Sequence, residues 1–166
     1  MQKPDDTMHY LNSPWTIWTH LPHDVDWSIK SYNNLYQFNT QEETIELTKN
    51  LPENFIKNCM LFIMRKDINP IWEDENNKNG GCFSYKILNK NVKDVWKTLT
   101  YGLVGETLID APNIDTSNLI NGITISPKKT FCIIKIWMKD CSLQNPEILN
   151  NNLDIDCGSC IFKKHI

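Results

Sequence analysis

The sequence predicts an α+β fold in which β-strands cluster around two or three helices. Several segments alternate apolar and polar residues as half-buried strands do, and residues 91–105 have the apolar spacing of an amphipathic helix. The 166 residues, of which 40% are hydrophobic, are enough for one buried core. We therefore expect a single domain at residues 11–166, preceded by a flexible polar arm at residues 1–10.

Five segments have the pattern of β-strands. Residues 15–21 alternate apolar and polar side chains, and Pro22 then predicts a loop that carries Trp27. Residues 59–64 form a short apolar run that suits a buried strand. The other predicted strands are residues 83–87, 123–125 and 131–137.

Two helices are predicted from caps and periodicity. Thr40 and Glu43 have the spacing of a capping box, which predicts a helix that runs to about Asn50 and is closed by Pro52. The second helix is expected at residues 91–105, where the apolar positions fall on one face. These positions are Val92, Val95, Trp96, Leu99 and Leu103.

Charge and hydropathy exclude several classes of function. The formal net charge of -3 argues against a DNA-binding protein, although a site for one nucleotide remains compatible with it. No apolar run approaches the roughly 20 residues of a membrane span and no signal peptide is recognisable, so we expect a cytoplasmic protein with no membrane contact. In that compartment the six cysteines are expected to be free thiols.

The amino-acid composition indicates the kind of genome that encodes this protein. Arg65 is the only arginine, and Asn and Ile are abundant. This bias is typical of an AT-rich genome, such as that of a protist or a large DNA virus. For a viral protein, the expected location is the host cytoplasm.

The most unusual segment is the polar loop at residues 67–81. On charge alone, this loop has the composition of a solvated acidic turn. However, Pro70 presets the backbone just ahead of Trp72, a large ring in a stretch where no core needs it. A displayed tryptophan followed by the carboxylate of Glu73 suits the wall of a pocket for a cationic or hydrogen-bond-donating ligand.

The pattern Pro-x-Trp-Glu-Asp-Glu-x-Asn-x-x-Gly-Gly at residues 70–81 resembles the cap-binding signature of the translation initiation factor 4E family. The resemblance covers roughly residues 9–140 and indicates a divergent member. It extends in register to His9, Trp15, Trp18, Trp27, Phe38, Trp96 and Trp137.

The resemblance implies a curved antiparallel sheet shaped like a cupped hand, with helices on its convex face and the 7-methylguanosine cap of mRNA in the concave slot. Trp27 and Trp72 match the two tryptophans that stack on the methylated base. Glu73 matches the carboxylate that recognises the guanine edge, the backbone N–H of Trp72 is the implied partner of guanine O6, and Trp137 matches the tryptophan near the N7 methyl group. Burial statistics favour core positions for three other tryptophans, namely Trp15, Trp18 and Trp96.

The implied phosphate contacts depart from the family pattern. Cys82 and Ile133 occupy positions at which the family usually has a cation. Lys128 and Lys129, in the turn of the predicted hairpin, are the remaining candidates for the cap phosphates, and Lys128 is preferred. Two lysines on an exposed turn without a ligand are the alternative.

The implied partner surface on the convex face also departs from the pattern. The dorsal tryptophan of the family aligns with Ile45, and the apolar contacts that follow Trp96 fall at Lys97 and Tyr101. His9 belongs to the segment that leads into this surface. The resemblance implies a helical motif of the scaffold factor 4G here, so we expect either a 4G-like partner or a dedicated divergent one.

An enzyme and a cap-binding repressor are the two rival functions, and a zinc site is a further possibility in the sequence. Cap-cleaving hydrolases need glutamates at helical spacing and cap methyltransferases need a glycine-rich loop, and neither pattern is present, so no catalytic residue or cofactor is expected. A cap-binding repressor or decoy remains an alternative to an initiation factor. In the tail, which is shorter than the family's, Cys157 and Cys160 would supply only two of four zinc ligands, so no metal is expected.

Overall fold

The computed structural model describes residues 7–153 and 158–166. Within them, seven strands form one antiparallel sheet in the order β2-β1-β3-β5-β6-β4-β7. The α+β class, with an antiparallel sheet and two to three helices, is therefore confirmed. The strands are β1 (Tyr10–His20), β2 (Tyr32–Thr40), β3 (Met60–Arg65), β4 (Gly81–Leu88), β5 (Ile120–Pro127), β6 (Phe131–Met138) and β7 (Ile161–Lys164), and the helices are α1 (Gln41–Asn50), α2 (Glu53–Asn58) and α3 (Val92–Val104).

Alternation of side chains along the strands gives the sheet two different faces. On one face, residues such as Ile17 and Leu61 form the main core with Ile56 of α2 and Trp96 of α3. The opposite face carries a smaller aromatic and sulfur-containing cluster, which leaves room for a cavity. This cluster contains Phe62, Met64, Ile68, Cys82 and Trp137.

The three tryptophans that were expected in the core occupy different depths. Trp15 and Trp96 are buried in the main core, which confirms that expectation for them. Trp18 is only partly buried and packs against the smaller cluster on the other face. Trp15 and Ile17 face the main core, so the alternation of a strand turns Trp18 to the opposite face.

The first helix begins where capping chemistry places it. The hydroxyl of Thr40 accepts a hydrogen bond from the backbone N–H of Glu43 at 3.1 Å, and the Glu43 carboxylate accepts from the N–H of Thr40 at 3.0 Å. The predicted capping box and the end of α1 at Asn50 are thus confirmed. Pro52 then forms the N-cap of α2, a six-residue helix that is too short to give a periodic signal. None of the helices in the described part of the chain combines the length and apolarity of a bilayer span.

The structure differs from the sequence prediction mainly at the sheet edges. β2 and β7 were not predicted, because each has a neighbouring strand on one side only and most of its residues are exposed. Without a buried face, a strand shows no apolar alternation. In addition, β1 begins at Tyr10, inside the segment expected to be a flexible arm.

Loss of the α1 cap tests the local contribution of this hydrogen-bond pair. We expect Thr40→Ala to lower the free energy of unfolding by roughly 1 kcal/mol, because the N–H of Glu43 loses its acceptor. Urea denaturation followed by circular dichroism measures this change. Thr98→Ala, on an exposed position of α3, is the control and should change stability by only a few tenths of a kcal/mol. Equal effects of the two substitutions would contradict the assignment.

Candidate functional site

A cavity of about 430 Å³ opens on the sheet face that carries the smaller cluster. Trp27, from the loop between β1 and β2, lies at this cavity. Trp72 and Glu73, from the loop between β3 and β4, also line it. Its floor is formed by strand residues and by residues that adjoin the strands, including Tyr32, Met60, Phe62, Thr124 and Trp137.

The loop that carries Trp27 is fixed from below by a buried histidine. The ring of His20 stacks on that of Trp27 with centroids 4.1 Å apart and planes 3° apart. The Nε2–H of His20 donates to the backbone carbonyl of Asp26 at 2.8 Å, which ties the loop to β1. His20 does not line the cavity, so it covers one face of Trp27 and leaves the other available. Trp27 is accordingly 56% exposed.

The loop between β3 and β4 is organised around the buried amide of Asn77. Its Nδ2 group donates to the backbone carbonyls of Asn69 and Ile71, each at 2.9 Å. Its Oδ1 atom accepts from Nδ2 of Asn121 at 3.0 Å, which attaches the loop to β5. The carboxylate of Asp74 also accepts from the N–H of Asn69 at 2.9 Å. These bonds hold the segment that displays the second tryptophan.

His165, the residue after β7, lies nearly parallel to Trp72, but farther from it than His20 lies from Trp27. The rings of His165 and Trp72 are 5.8 Å apart with an interplanar angle of 10°. His165 Nδ1 lies 2.7 Å from the carbonyl oxygen of Asn77, which can only accept, so the proton is on Nδ1. Its Nε2 atom then accepts from the thiol of Cys82, whose Sγ atom is 3.1 Å away.

Burial keeps this thiol–imidazole pair neutral. It lowers the pKa of His165 below its usual value, and Lys135 acts in the same direction. Burial also raises the pKa of Cys82 to about 12, so that residue stays a thiol. The wall behind Trp72 is therefore a neutral hydrogen-bonded pair.

Glu73 offers the cavity an unpaired carboxylate. It forms no hydrogen bond and no ion pair with any residue that the structure describes. Its charge adds to the effect of burial, which raises the pKa of Tyr32 to about 12. The adjacent backbone N–H of Trp72 likewise donates to no described residue. An acceptor and a donor thus lie side by side, which suits a planar ligand edge that carries both.

The floor of the cavity is rigid and aromatic. Trp137 is only 2% exposed, and its Nε1–H donates to Oγ1 of Thr124 at 2.7 Å. Phe62 contacts Tyr32 edge-on at 5.3 Å between centroids and Trp137 at 6.5 Å. A flat apolar ligand can therefore rest on this floor without leaving a polar group unpaired.

The positively charged residues at the cavity are not quite those named from the sequence. Lys128 lines the cavity, whereas Lys129 is exposed on the turn and does not line it. Lys135 lines it as well and was missed. Lys135 is two residues before Trp137 on β6, so the period of a strand places both on one face and would have revealed it.

The cysteines in the tail do not extend this site. Cys160 is buried, whereas Cys157 lies outside the described residues. Among the residues with a described position, no three His, Cys, Asp or Glu side chains are grouped as metal ligands would be.

A second candidate surface lies on the helical side of the molecule. Ile45 is 41% exposed and lines a shallow cavity of about 280 Å³ together with Tyr101. The hydroxyl of Tyr101 is hydrogen-bonded to that of Thr48 at 2.9 Å, which fixes the ring between α1 and α3. The other apolar residues of this surface are Leu11 and Val104.

The remaining residues of the expected partner surface differ in their exposure to solvent. Lys97 places its Nζ atom 5.9 Å from the ring centre of Tyr101. His9 is exposed and lies 2.6 Å from the carboxylate of Glu42, whose pKa the His9 hydrogen bond lowers. Trp96 is buried in the main core and presents no surface to a partner.

The neutral state of His165 has a consequence for stability. Its pKa in the folded chain lies below the usual 6.5, so the unfolded chain binds its proton at higher pH. The free energy of unfolding should therefore fall as the pH drops below 6.5, by at most about 1.4 kcal/mol per pH unit for this one group. Urea denaturation across this range measures the slope.

His165→Gln should reduce that slope, while His23→Gln, at an exposed loop position, should preserve it. An unchanged slope in His165→Gln would show that this imidazole is not held neutral. The difference in slope between this variant and the wild type isolates the contribution of His165.

The sequence of this chain is similar to that of known proteins. The family model for eukaryotic initiation factor 4E matches residues 10–163. Translation initiation factor 4E of Eremothecium gossypii is 31% identical over 147 residues, which are 82% of this chain and 65% of that protein. The Saccharomyces cerevisiae factor is 32% identical over 142 residues, which are 81% of this chain and 63% of that protein. The matched region is thus less than two thirds of either relative's length.

A solved structure shows the same fold at lower identity. The complex of C. elegans eIF4E-3 with the 4E-binding protein Mextli and a cap analogue superposes with a TM-score of 0.83 at 19% identity. The superposition covers 96% of this chain and 94% of that one. The match of the family model over most of the sequence means that this chain belongs to the eukaryotic initiation factor 4E family.

Proposed function

We propose that this chain binds the 7-methylguanosine cap of mRNA, with the methylated base between Trp27 and Trp72 and its edge on Glu73. The observation that carries the proposal is the unpaired carboxylate of Glu73 at an aromatic cavity of about 430 Å³. The family membership supports it, as does the structural neighbour described with a cap analogue.

The two tryptophans account for the preference for a methylated base. Methylation at N7 makes guanine cationic, and a desolvated cation over an aromatic face gains about 2 kcal/mol. Stacking adds roughly 1–3 kcal/mol per base whether or not the base is methylated. Neither His20 nor His165 lines the cavity, so the tryptophan surfaces that do line it are available to the base.

Glu73 accounts for the preference for guanine. Its carboxylate accepts from the N1–H and the exocyclic amine, and such charge-assisted bonds contribute about 1.5–3 kcal/mol each. Adenine lacks this pair of donors. The N–H of Trp72 donates to guanine O6, and Trp137 lies under the methyl group. Lys128, at the rim, is preferred to Lys129 for the phosphates.

The role that follows cap recognition is translation initiation in the cytoplasm. A scaffold partner related to factor 4G, or a divergent partner specific to this chain, binds the surface formed by Ile45 and Tyr101. The apolar character of this surface and its position away from the cap cavity support that arrangement. A cap-binding repressor is the alternative, and a tethered reporter would distinguish them by a rise or a fall in translation.

Discrimination between methylated and unmethylated nucleotides tests the cap site. We expect quenching of tryptophan fluorescence by 7-methyl-GTP at concentrations at least tenfold below those needed for GTP, since only the methylated base is a cation. Trp72→Ala should abolish the preference. Equal affinity for the two nucleotides would refute the stacking of a methylated base.

Substitution of the loop carboxylate tests base identity. Glu73→Gln should weaken 7-methyl-GTP binding by roughly tenfold to a hundredfold, because two charge-assisted hydrogen bonds become weaker. Glu75→Gln is the matched control: this residue belongs to the same loop, pairs with Lys78 and does not line the cavity. If both variants bind like the wild type, Glu73 does not recognise the base.

The partner surface can be tested separately from the cap site. Ile45→Asp should prevent capture of a helical 4G peptide and leave 7-methyl-GTP affinity unchanged, because a buried charge at this interface has no partner. Ile114→Asp is the control, since Ile114 is 45% exposed, much like Ile45 at 41%, and lies outside that cavity. Normal capture by Ile45→Asp would exclude this surface. A 4G peptide that fails to bind the wild type would favour a divergent partner.

A further inference from the structure

A second cavity adjoins the base slot at Trp72. It has a volume of about 220 Å³ and shares Trp72 and Lys135 with the first cavity. Its other walls come from β4 and from β7 with the residue that follows it, including Ser84, Lys163 and His165. The two cavities are therefore neighbours, close enough for two parts of one ligand.

The register of three strands places two lysines on either side of β4. Ser84 pairs with Lys135 of β6, and Cys82 pairs with Lys163 of β7. Residues that pair directly across antiparallel strands point to the same face, and residues two apart along a strand share that face. Lys135 and Lys163 thus flank β4 on the face of the base slot. Their Nζ atoms lie 5.8 and 5.9 Å from the ring centre of Trp72.

The charge of this cavity is uniformly positive. Its lining contains Lys135, Lys163 and Lys164 and includes no Asp or Glu. Neither Lys135 nor Lys163 forms an ion pair with any of the residues that the structure describes. The neighbouring His165 is neutral, as its lowered pKa indicates. In a chain with a net charge of -3, such a local group of cations favours an anionic ligand.

The C-terminal strand is fitted closely against the sheet at this point. A Cβ atom on Gly81 would lie 2.6 Å from the carbonyl oxygen of Lys163, so only glycine allows β7 to approach. The N–H of His165 donates to the carbonyl of Gly80 at 3.0 Å. Gly80 and Gly81, the glycine pair of the loop motif, therefore allow β7, which carries Lys163, to pack closely against the sheet.

We propose that this second cavity binds the polyphosphate of the nucleotide whose base occupies the slot, with Lys135 and Lys163 as cationic contacts in addition to Lys128 of the first cavity. The inference rests on the proposed cap-binding function. It accounts for the uncharged residues at Cys82 and Ile133: Lys163 stands directly opposite the first, and Lys135 lies two residues beyond the second on the same face. The phosphate site of this chain is thus built partly from β7.

A series of ligands that differ only in phosphate number tests the assignment. The series consists of 7-methylguanosine and its mono-, di- and triphosphate, with affinities measured by tryptophan quenching at several salt concentrations. In the wild type, affinity should rise with each phosphate and should fall with salt. Lys135→Met and Lys163→Met should each weaken triphosphate binding by roughly tenfold more than they weaken binding of the nucleoside. Each should also lower the slope of log affinity against log salt by about 0.7.

Lys129→Met is the matched control, since this exposed lysine lines neither cavity. Phosphate dependence that is unchanged in Lys135→Met and Lys163→Met, or reduced equally in Lys129→Met, would overturn the assignment. A wild type that binds 7-methylguanosine no better than guanosine would refute cap recognition instead. In that case, GTP binding that still depends on Lys135 and Lys163 would uphold the phosphate site. GTP binding that does not depend on these lysines would refute the phosphate site as well as cap recognition.

Discussion

The candidate cap site depends on one buried side chain, the amide of Asn77. Its two donors and its acceptor are all used within the protein, on Asn69, Ile71 and Asn121. A buried amide is costly unless it is fully paired, so these bonds favour the observed arrangement of the loop. That arrangement fixes the backbone just ahead of Trp72. The hydrogen bonds of Asn77 thus order this loop, although the loop contains no β-strand.

The same residue connects the loop to the end of the chain. The backbone carbonyl of Asn77 accepts from His165, which also stacks on Trp72 and accepts from Cys82. The base slot and the adjacent lysine cavity therefore share one network of neutral hydrogen bonds. A substitution anywhere in this network is expected to affect both cavities together, because residues in one network do not act additively.

Sequence reasoning found the parts of this molecule that have a strong local signal. The capping box of α1 and the helical pattern of α3 were recognisable because they depend on neighbouring residues. Trp72 and Glu73 were recognisable because a ring and a charge share a polar loop. β2 and β7 were not predicted, because an exposed edge strand has no apolar period. Lys163 was missed because it lies on β7. Asn77 could not be distinguished from neighbouring asparagines, since its burial is a property of the folded chain.

The histidines behind the two tryptophans bear on the expected kinetics of the proposed cap binding. Trp27 and Trp72 are already stacked on His20 and His165 before a ligand arrives, so neither ring has to be immobilised on association. Ordering a flexible side chain at an interface costs about 0.5–1.5 kcal/mol, and this chain avoids much of that cost twice. Among related complexes, gains of this kind are found mainly in the dissociation rate. The stacked histidines would therefore lengthen the residence time of a ligand without touching it.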